Sequence, residues 1–286
     1  MNDRLARFYA FLKGKHVILL GIGLSNSPLV RMFVSKGARV TVCDRRTREQ
    51  VGRPADELES AGARLRLGPD YLRDLDADMI FRTPGIRYTL PELTAARRRG
   101  VAVTSEMEVF FDLCPCRKIA VTGSDGKTTT TTLIAEMLRR QGRRVHLGGN
   151  IGRPLLPGIE SIRPEDVAVV ELSSFQLISM RSSPDIAVIT NISPNHLDVH
   201  KDMAEYIAAK KNILAHQNAF GRTVLNLDNE ITASMGEDAR GARYFFSRRQ
   251  AVEYGCFADG GGVVRMRDGT EHEIMRADDI RIPGVH

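Results

Sequence analysis

The sequence predicts an α/β protein built from two successive parallel-sheet units, and three observations carry that prediction. Short apolar runs alternate with helix-prone polar stretches along most of the 286 residues. Two of the runs, ending at Leu20 and Thr122, lead into glycine-containing turns that open a helix. The later runs are almost continuously apolar, as strands covered on both faces are. Strands expected at His16–Leu20, 39–43, 63–67, 78–81 and 101–104 form a first unit of residues 1–104. Strands expected at 119–122, 145–147, Val167–Glu171, 186–191 and 223–227, with helices at 128–140 and 203–216 among them, form a second of residues 105–286.

In the first unit, Gly21-Ile22-Gly23 follows an apolar run and precedes a helix-like stretch, and the next run ends at Asp44. This is the start of a Rossmann-like βαβ. A dinucleotide fingerprint has a third glycine where Asn26 stands, so the tight phosphate turn is available while the close helix–strand packing of that fingerprint is not assured. Asp44 sits where an acidic group often holds a ribose hydroxyl. A nucleotide site and a purely structural turn both fit these residues. Thr83-Pro84-Gly85 ends another strand, either as punctuation or as a ligand-binding turn at a strand's carboxyl end.

Composition narrows the partners. With 42% hydrophobic and 27% charged residues the chain has the makings of ordinary globular cores rather than disorder. The formal charge of +6 comes largely from arginines at expected helix ends, such as Arg97-Arg98-Arg99 and Arg139-Arg140. No aromatic residues interleave with them to stack bases, so nucleic acid is not an expected partner. No apolar stretch approaches the ~20 residues of a membrane helix, and no signal-peptide pattern opens the chain, so the expectation is a cytoplasmic protein without membrane insertion. Of the four cysteines, only Cys114 and Cys116 are close in sequence. Their spacing matches neither a zinc knuckle nor a redox CxxC, and reduced thiols are the simplest reading.

The second unit carries the chemistry. Gly123-Ser124-Asp125-Gly126-Lys127-Thr128-Thr129 reads as a compact phosphate-binding loop, with Val121 where the general pattern has its first glycine. Turn N–H groups and the start of the helix favour an anion, Lys127 adds a mobile positive charge, and the Thr128 hydroxyl can ligate Mg²⁺; a nucleoside triphosphate is the expected ligand. Loops after the following strands add Asn150 between Gly149 and Gly152, Glu171 at a strand's carboxyl end where it can take Mg²⁺, and His196 in Asn195-His196-Leu197-Asp198. Asp198 and His200 are read as groups that orient His196 or cap the next helix. Tyr206 and Lys210 share one helical face, and Lys210 and Lys211 by themselves read as a solvated pair.

Taken together, Gly123 to Thr128, Gly149-Asn150-Ile151-Gly152, Glu171-Leu172-Ser173-Ser174-Phe175-Gln176, Asn195-His196-Leu197-Asp198 and Tyr206 to Lys210 resemble the Mur ligase family in order and spacing. The resemblance runs from Gly21 to the closing residues 282–286. Phe175-Gln176 and Asp44-Arg45-Arg46 resemble the branch that adds D-glutamate. It implies an N-terminal Rossmann-like domain followed by a P-loop-type parallel-sheet ATPase domain, with the latter incomplete and a C-terminal ligase domain absent.

By the same resemblance, Leu24, Ser25, Asp44, Arg46, Thr83, Pro84, Gly85, Asn150, Ser173 and Gln176 bind a UDP-linked substrate, and Gly123 to Thr129 bind ATP. Thr128, Glu171, His196 and Lys210 serve two Mg²⁺ ions, Lys210 as a carbamate, and Lys127, His196 and Lys210 are the catalytic groups. The implied partners are UDP-N-acetylmuramoyl-L-alanine and D-glutamate, joined through an acyl phosphate by a monomer. Asp125, where the family often has Asn, puts a negative charge beside the phosphates. A chain ending at His286 is expected to bind the UDP substrate, and ATP more weakly, without turning over alone. Another ATP-dependent amide ligase, such as a different Mur ligase or a folylpolyglutamate synthetase, and a non-catalytic nucleotide-binding module are the alternatives; an NAD dehydrogenase would leave Lys127, Glu171 and His196 unused.

Overall fold

The computed structural model describes residues 3–195, 199–259 and 261–280. Contacts divide the chain into two compact units. One takes the residues up to Cys116 together with Gly152–Pro164, and the other takes Arg117–Ile151 together with the residues from Glu165 onward. No helix among the described residues is long and apolar enough to cross a membrane.

The first unit begins with helix α1 (Asp3–Leu12) and continues β1 (His16–Leu20), α2 (Ser27–Ser35), β2 (Arg39–Asp44), α3 (Arg48–Val51), α4 (Arg53–Ser60), β3 (Arg64–Leu67), β4 (Met79–Arg82), α5 (Pro91–Arg98), β5 (Ala102–Thr104) and α6 (Glu106–Leu113). Its five strands are parallel in the order β3-β2-β1-β4-β5. The chain moves outward from β1 in one direction and then returns to its other side, so the loops after β1 and β4 part and leave a crevice at the strands' carboxyl ends. Ile18, Leu20, Cys43 and Ile80 from the sheet pack on Leu93 and Ala96 from α5.

Asn26, in the place of a third glycine, is fully buried. Its amide donates to the carbonyls of Leu20 at 2.9 Å, Gly21 at 3.3 Å and Phe81 at 3.3 Å. A side chain thus ties together the two strand ends that flank the crevice, where a glycine would have supplied only close packing.

Helix α6 shows how Gly152–Pro164 is attached to this unit. Ser105 caps the helix by accepting the Glu108 N–H, and the next residue, Glu106, is only 4% exposed. One of its oxygens accepts the N–H groups of Leu155 and Leu156, each at 2.8 Å, at the start of a 3-10 turn (Leu156–Ser161). Burial pushes this carboxyl up to about 7, against the pull of those two hydrogen bonds.

The second unit holds β6 (Arg117–Thr122), α7 (Lys127–Arg140), β7 (Val145–Gly149), β8 (Val167–Glu171), α8 (Ser174–Leu177), β9 (Ile186–Ile189), α9 (Met203–Ala215), β10 (Arg222–Asn226), α10 (Glu230–Ser234) and β11 to β14 (Ala242–Ser247, Tyr254–Ala258, Val263–Asp268, Thr270–Arg276). Its nine strands run in the order β14-β13-β12-β11-β10-β9-β6-β8-β7. They pair in parallel from β7 as far as β12, and β13 and β14 are added antiparallel. The sheet therefore continues well past the last strand expected from the sequence.

Helix α7 opens with five consecutive threonines, Thr128 to Thr132, a β-branched run that weakens intrinsic helix propensity. Packing compensates, because Ala135, Ile134 and Leu138 lie against Ile119, Val121, Val167 and Val169 of the sheet. The Thr131 hydroxyl is absorbed by the Lys127 carbonyl one turn back, at 2.7 Å.

The Glu106 carboxyl gives a prediction of sign. An acid whose folded pKa lies above its ordinary 4.5 contributes most to stability at low pH, and that contribution is lost as pH rises through about 7. Glu106→Gln keeps an acceptor oxygen for both N–H groups and loses the titration. In urea unfolding at pH 5 and pH 8, the variant should gain on the wild type at the higher pH by on the order of 2–3 kcal/mol. Identical pH slopes for the two proteins would contradict the assignment.

Candidate active site

In the second unit the register brings the reactive loops to one level. Val121 of β6 and Gly149 of β7 are both paired with Glu171 of β8, and Thr122 is paired with Ile189 of β9. Two glycines permit the close approach. A Cβ on Gly149 would stand 2.2 Å from the Glu171 carbonyl oxygen, and one on Gly123 would stand 1.9 Å from the Thr190 hydroxyl. Both have positive φ, +96° and +152°.

Glu171 is 1% exposed, and its carboxylate is held at both ends. Thr128 Oγ1 donates to Oε2 at 2.7 Å and Asn150 Nδ2 donates to Oε1 at 2.8 Å. The sequence-predicted residues Thr128, Asn150 and Glu171 thus meet as one hydrogen-bonded row. Lys127 reaches back over the loop to donate to the Ser124 carbonyl at 2.8 Å. Gly126, in the left-handed conformation, offers no side-chain cap to α7, so the first-turn N–H groups of the helix have no intrahelical acceptor and suit an anion.

Asn191 shapes the loop from the neighbouring strand end. Its side chain accepts from the Asp125 N–H at 3.0 Å and donates to the Asp125 carbonyl at 3.1 Å, while Thr190 Oγ1 donates to the same carbonyl at 2.6 Å. The Asp125 residue is exposed, and Ser193 Oγ lies 3.4 Å from its carboxylate.

Lys210 corrects the solvated-pair reading. It is 2% exposed, donates to the Gly123 carbonyl at 2.7 Å and lies 4.7 Å over the Tyr206 ring. Burial first, and the Lys127 ammonium second, bring its own ammonium down to about 7. Only Lys211 stays partly solvated, paired with Asp238 at 2.6 Å. Tyr206 in turn joins its hydroxyl to Ser124 Oγ at 3.0 Å. His200 stacks on Phe175, with Nε2 2.8 Å from Ser174 Oγ and Nδ1 3.1 Å from Glu205 Oε1. The cap of α9 is Asp202, which accepts the Glu205 N–H at 2.8 Å, and not His200. His196 and Asp198 lie outside the described residues.

Ser173 and Gln176 are engaged with each other. They form a capping box on α8, with Gln176 Oε1 accepting the Ser173 N–H at 2.9 Å and Ser173 Oγ accepting the Gln176 N–H at 3.3 Å.

In the first unit, Leu24, Ser25, Asp44, Arg46, Thr83, Pro84 and Gly85 all line one cavity of about 650 Å³ at the β1/β4 crevice. Asp44 accepts the Ile22 N–H at 2.8 Å and the Arg46 N–H and Nε at 2.9 Å each. Burial alone would raise this carboxyl, but the hydrogen bonds from Arg46 and the backbone hold it below the ordinary carboxylate range. Asp44 is therefore a charged brace for the loop, with Arg46 presented at its rim.

A second cavity of about 600 Å³ adjoins the phosphate loop, lined by Gly126 and Thr129, by Phe246 of β11 and by Asn229, Arg248 and Arg249 from loops after β10 and β11. Sequence reading did not single out these last four. The signal of Asn229, Arg248 and Arg249 was their place after parallel strands, and β11, which carries Phe246, went unrecognised.

Among the described residues no three His, Cys, Asp or Glu side chains cluster as a metal site. What exists is a hydroxyl and a carboxylate oxygen 2.7 Å apart next to a phosphate loop. That donor set fits Mg²⁺, which takes hard oxygens from one or two protein groups and completes its shell with phosphate and water.

The glycine approaches are testable. Gly149→Ala should lower stability by on the order of 2–3 kcal/mol, because its new methyl meets backbone that cannot rotate away. Gly123→Ala should be partly rescued in thermal melts by Thr190→Ala, which removes the nearest clash, whereas Gly149→Ala should not. Equal rescue of both would show that the register, and not the contact, is misassigned.

Comparison with known proteins identifies the family. Residues 121–283 match a model of the Mur ligase middle domain, and residues 15–105 match one of the Mur ligase MurD-like N-terminal domain. Proteins named UDP-N-acetylmuramoylalanine–D-glutamate ligase from Ruminiclostridium cellulolyticum and Clostridium novyi are 50% and 43% identical over 287 residues, which take in 100% of this chain and 62% of each relative. The chain thus spans about three fifths of the length of those curated relatives. Among solved structures, a UDP-N-acetylmuramate:L-alanyl-gamma-D-glutamyl-meso-diaminopimelate ligase from Neisseria meningitides aligns with a TM-score of 0.58 at 17% identity, over 92% of this chain and 85% of that one. The UDP-N-acetylmuramate-alanine ligase MurC from Thermotoga maritima aligns at 0.52 and 20%, over 95% and 62%. At such identities these two establish the fold alone. With the middle-domain match covering more than half of its 286 residues, the chain belongs to the Mur ligase family.

Proposed function

We propose that the chain supplies the UDP-substrate site and the ATP site of a ligase that joins D-glutamate to UDP-N-acetylmuramoyl-L-alanine in peptidoglycan precursor synthesis. The observation that carries this reading is the identity of up to 50%, along the whole of this chain, with proteins named for that reaction. The two cavities, one at the switch point of each unit's parallel sheet or beside it, agree with it.

In this reading the crevice of the first unit takes the uridine diphosphate, with the Gly21–Ser25 turn against the phosphates and Arg46 at the rim. Asn150, Ser173 and Gln176 are carried over as substrate-side groups, the last two acting by fixing the start of α8. The phosphate loop and the first turn of α7 hold the triphosphate of ATP, and Lys127 moves from the Ser124 carbonyl to the phosphates. The γ-phosphoryl group passes to the alanine carboxylate, giving an acyl phosphate and ADP. The amine of D-glutamate then attacks the acyl carbon, and the amide forms as phosphate leaves.

Thr128 and Glu171 would hold one Mg²⁺, and His196 and Lys210 a second; bound there, the ions neutralise charge gathering on the transferred group. Lys210 as an ammonium donates to a carbonyl and does not suit a cation. With its pKa near neutrality, however, much of it is a free amine that can add CO₂ and release a proton, which leaves an anionic oxygen donor.

Two measurements test this. In calorimetry with UDP-N-acetylmuramoyl-L-alanine, and with ATP and Mg²⁺, Lys127→Ala should weaken ATP by roughly 10- to 100-fold while leaving the UDP substrate unaffected. Unchanged ATP affinity would remove Lys127 from the site. With ¹³C-bicarbonate, a carbamate carbonyl resonance should grow as pH rises through about 7, where the Lys210 amine becomes neutral, and should be missing from Lys210→Arg. A resonance that persists in the variant would assign the carbamate elsewhere.

A further inference from the structure

Nothing in the ligase reading uses Cys114 and Cys116. Cys114 is the cap residue that ends α6, Pro115 follows, and Cys116 is the last residue before β6, at the first point where the chain passes from one compact unit to the other. Their sulfur atoms lie 3.4 Å apart. The turn brings this about: Cys114 leaves the helix in an extended conformation, φ −62° and ψ 122°, and Pro115 fixes its own φ near about −65°, so the third residue returns its side chain toward the first. Both residues are enclosed, Cys114 at 8% and Cys116 at 3% exposure, and both sulfurs are buried. The other two cysteines are set apart from the pair. Cys43 is buried in the core of the first unit, where burial pushes its thiol up to about 11, and Cys256 is an exposed residue of β12.

We propose that Cys114 and Cys116 form an oxidisable dithiol, a modification site that reacts with a small hydroperoxide and closes to an intramolecular disulfide. Enclosure selects the oxidant, since a small peroxide can penetrate to the buried Cys114 sulfur where a bulky disulfide cannot. The Cys114 thiolate attacks one peroxide oxygen; an S–O bond forms, the O–O bond breaks, and the departing hydroxide is protonated to water. The Cys116 thiolate then attacks the Cys114 sulfur of the sulfenic acid; the S–S bond forms, the S–O bond breaks, and a second water leaves. Two thiols lose two electrons and two protons, and hydrogen peroxide becomes two waters. Closing from 3.4 Å to the ~2.05 Å of a disulfide needs only a local adjustment of the turn. The ring would tie the end of the helix that carries Glu106 to the start of the strand that leads into the phosphate loop.

The test uses the reduced chain, treated with hydrogen peroxide, denatured, alkylated and read by intact mass and peptide mapping. Four thiols should titrate before treatment and two afterwards. Before alkylation the intact mass should fall by about 2 Da; after it, alkylation should disappear from both Cys114 and Cys116, and dithiothreitol should restore it. The response should survive in Cys43→Ser/Cys256→Ser. In Cys114→Ser the mass loss should vanish. Alkylation retained at both positions in the wild type, addition of oxygen without the 2 Da loss, or a disulfide through Cys256 of two chains would each overturn the proposal. The wild-type peptide map decides by itself, so a variant that misfolds does not leave the question open.

Discussion

The approach of β7 to the end of β8 is the contact on which the rest of the larger unit depends. The Glu171 carbonyl occupies the space a side chain at residue 149 would need, and it accepts the Asn150 N–H at 2.8 Å. The Glu171 carboxylate is thereby delivered between Asn150 and Thr128, the second residue of α7. On the far side of β6, the equally tight passage of Gly123 beside Thr190 lets Thr190 and Asn191 support the loop through the Asp125 carbonyl. Close-packed backbone at strand ends thus positions hydroxyl, carboxylate and ammonium groups without relying on long flexible side chains.

The site also concentrates buried polarity that would be costly if left unsatisfied. Lys210 is met by the Gly123 carbonyl and the Tyr206 ring, Tyr206 by Ser124, and His200 by Ser174 and Glu205. The loop is held by two side chains of α9, Tyr206 and Lys210, while His200 links Ser174 of α8 to Glu205 of α9. The same logic operates in the first unit, where the Asn26 amide and the Asp44 carboxylate brace the turn after β1. Enclosure acts on charge as well: burial, and the Lys127 ammonium after it, bring the Lys210 ammonium down to about 7.

The parallel strands up to β10 were legible as apolar runs closed by a glycine or a polar residue, and the Gly123–Thr128 loop as such a run leading into a glycine-containing turn. Lys210 was legible too, had the helix period been weighed against its charge. Tyr206, Ala209, Lys210, Ile213 and Leu214 form one buried stripe of α9 at helical spacing, and Lys210 sits inside it. Strands β11 to β14 were harder to read. The segment Thr270–Arg276 is exposed along its whole length, so no core imposes an alternation on it, and the positions of Arg248, Arg249 and Phe246 near the loop follow only once those strands are placed. The return of Gly152–Pro164 to the first unit, through the hydrogen bonds to Glu106, has no local signal in the chain.

By itself the sequence determined which groups were available and in what order: two α/β units, a loop with Lys127 and Thr128, and polar residues following apolar strands. Those are one-dimensional properties, set by hydrophobic periodicity and by the conformations glycine permits. The tertiary structure decided which of these groups touch. Strand order set β8 and β9 on either side of β6, burial turned Lys210 from a solvated cation into a titratable amine, and a turn through Pro115 brought two sulfurs together. Contacts between residues distant in sequence, and the low dielectric around them, are properties of packing, and packing is what no local stretch of the chain encodes.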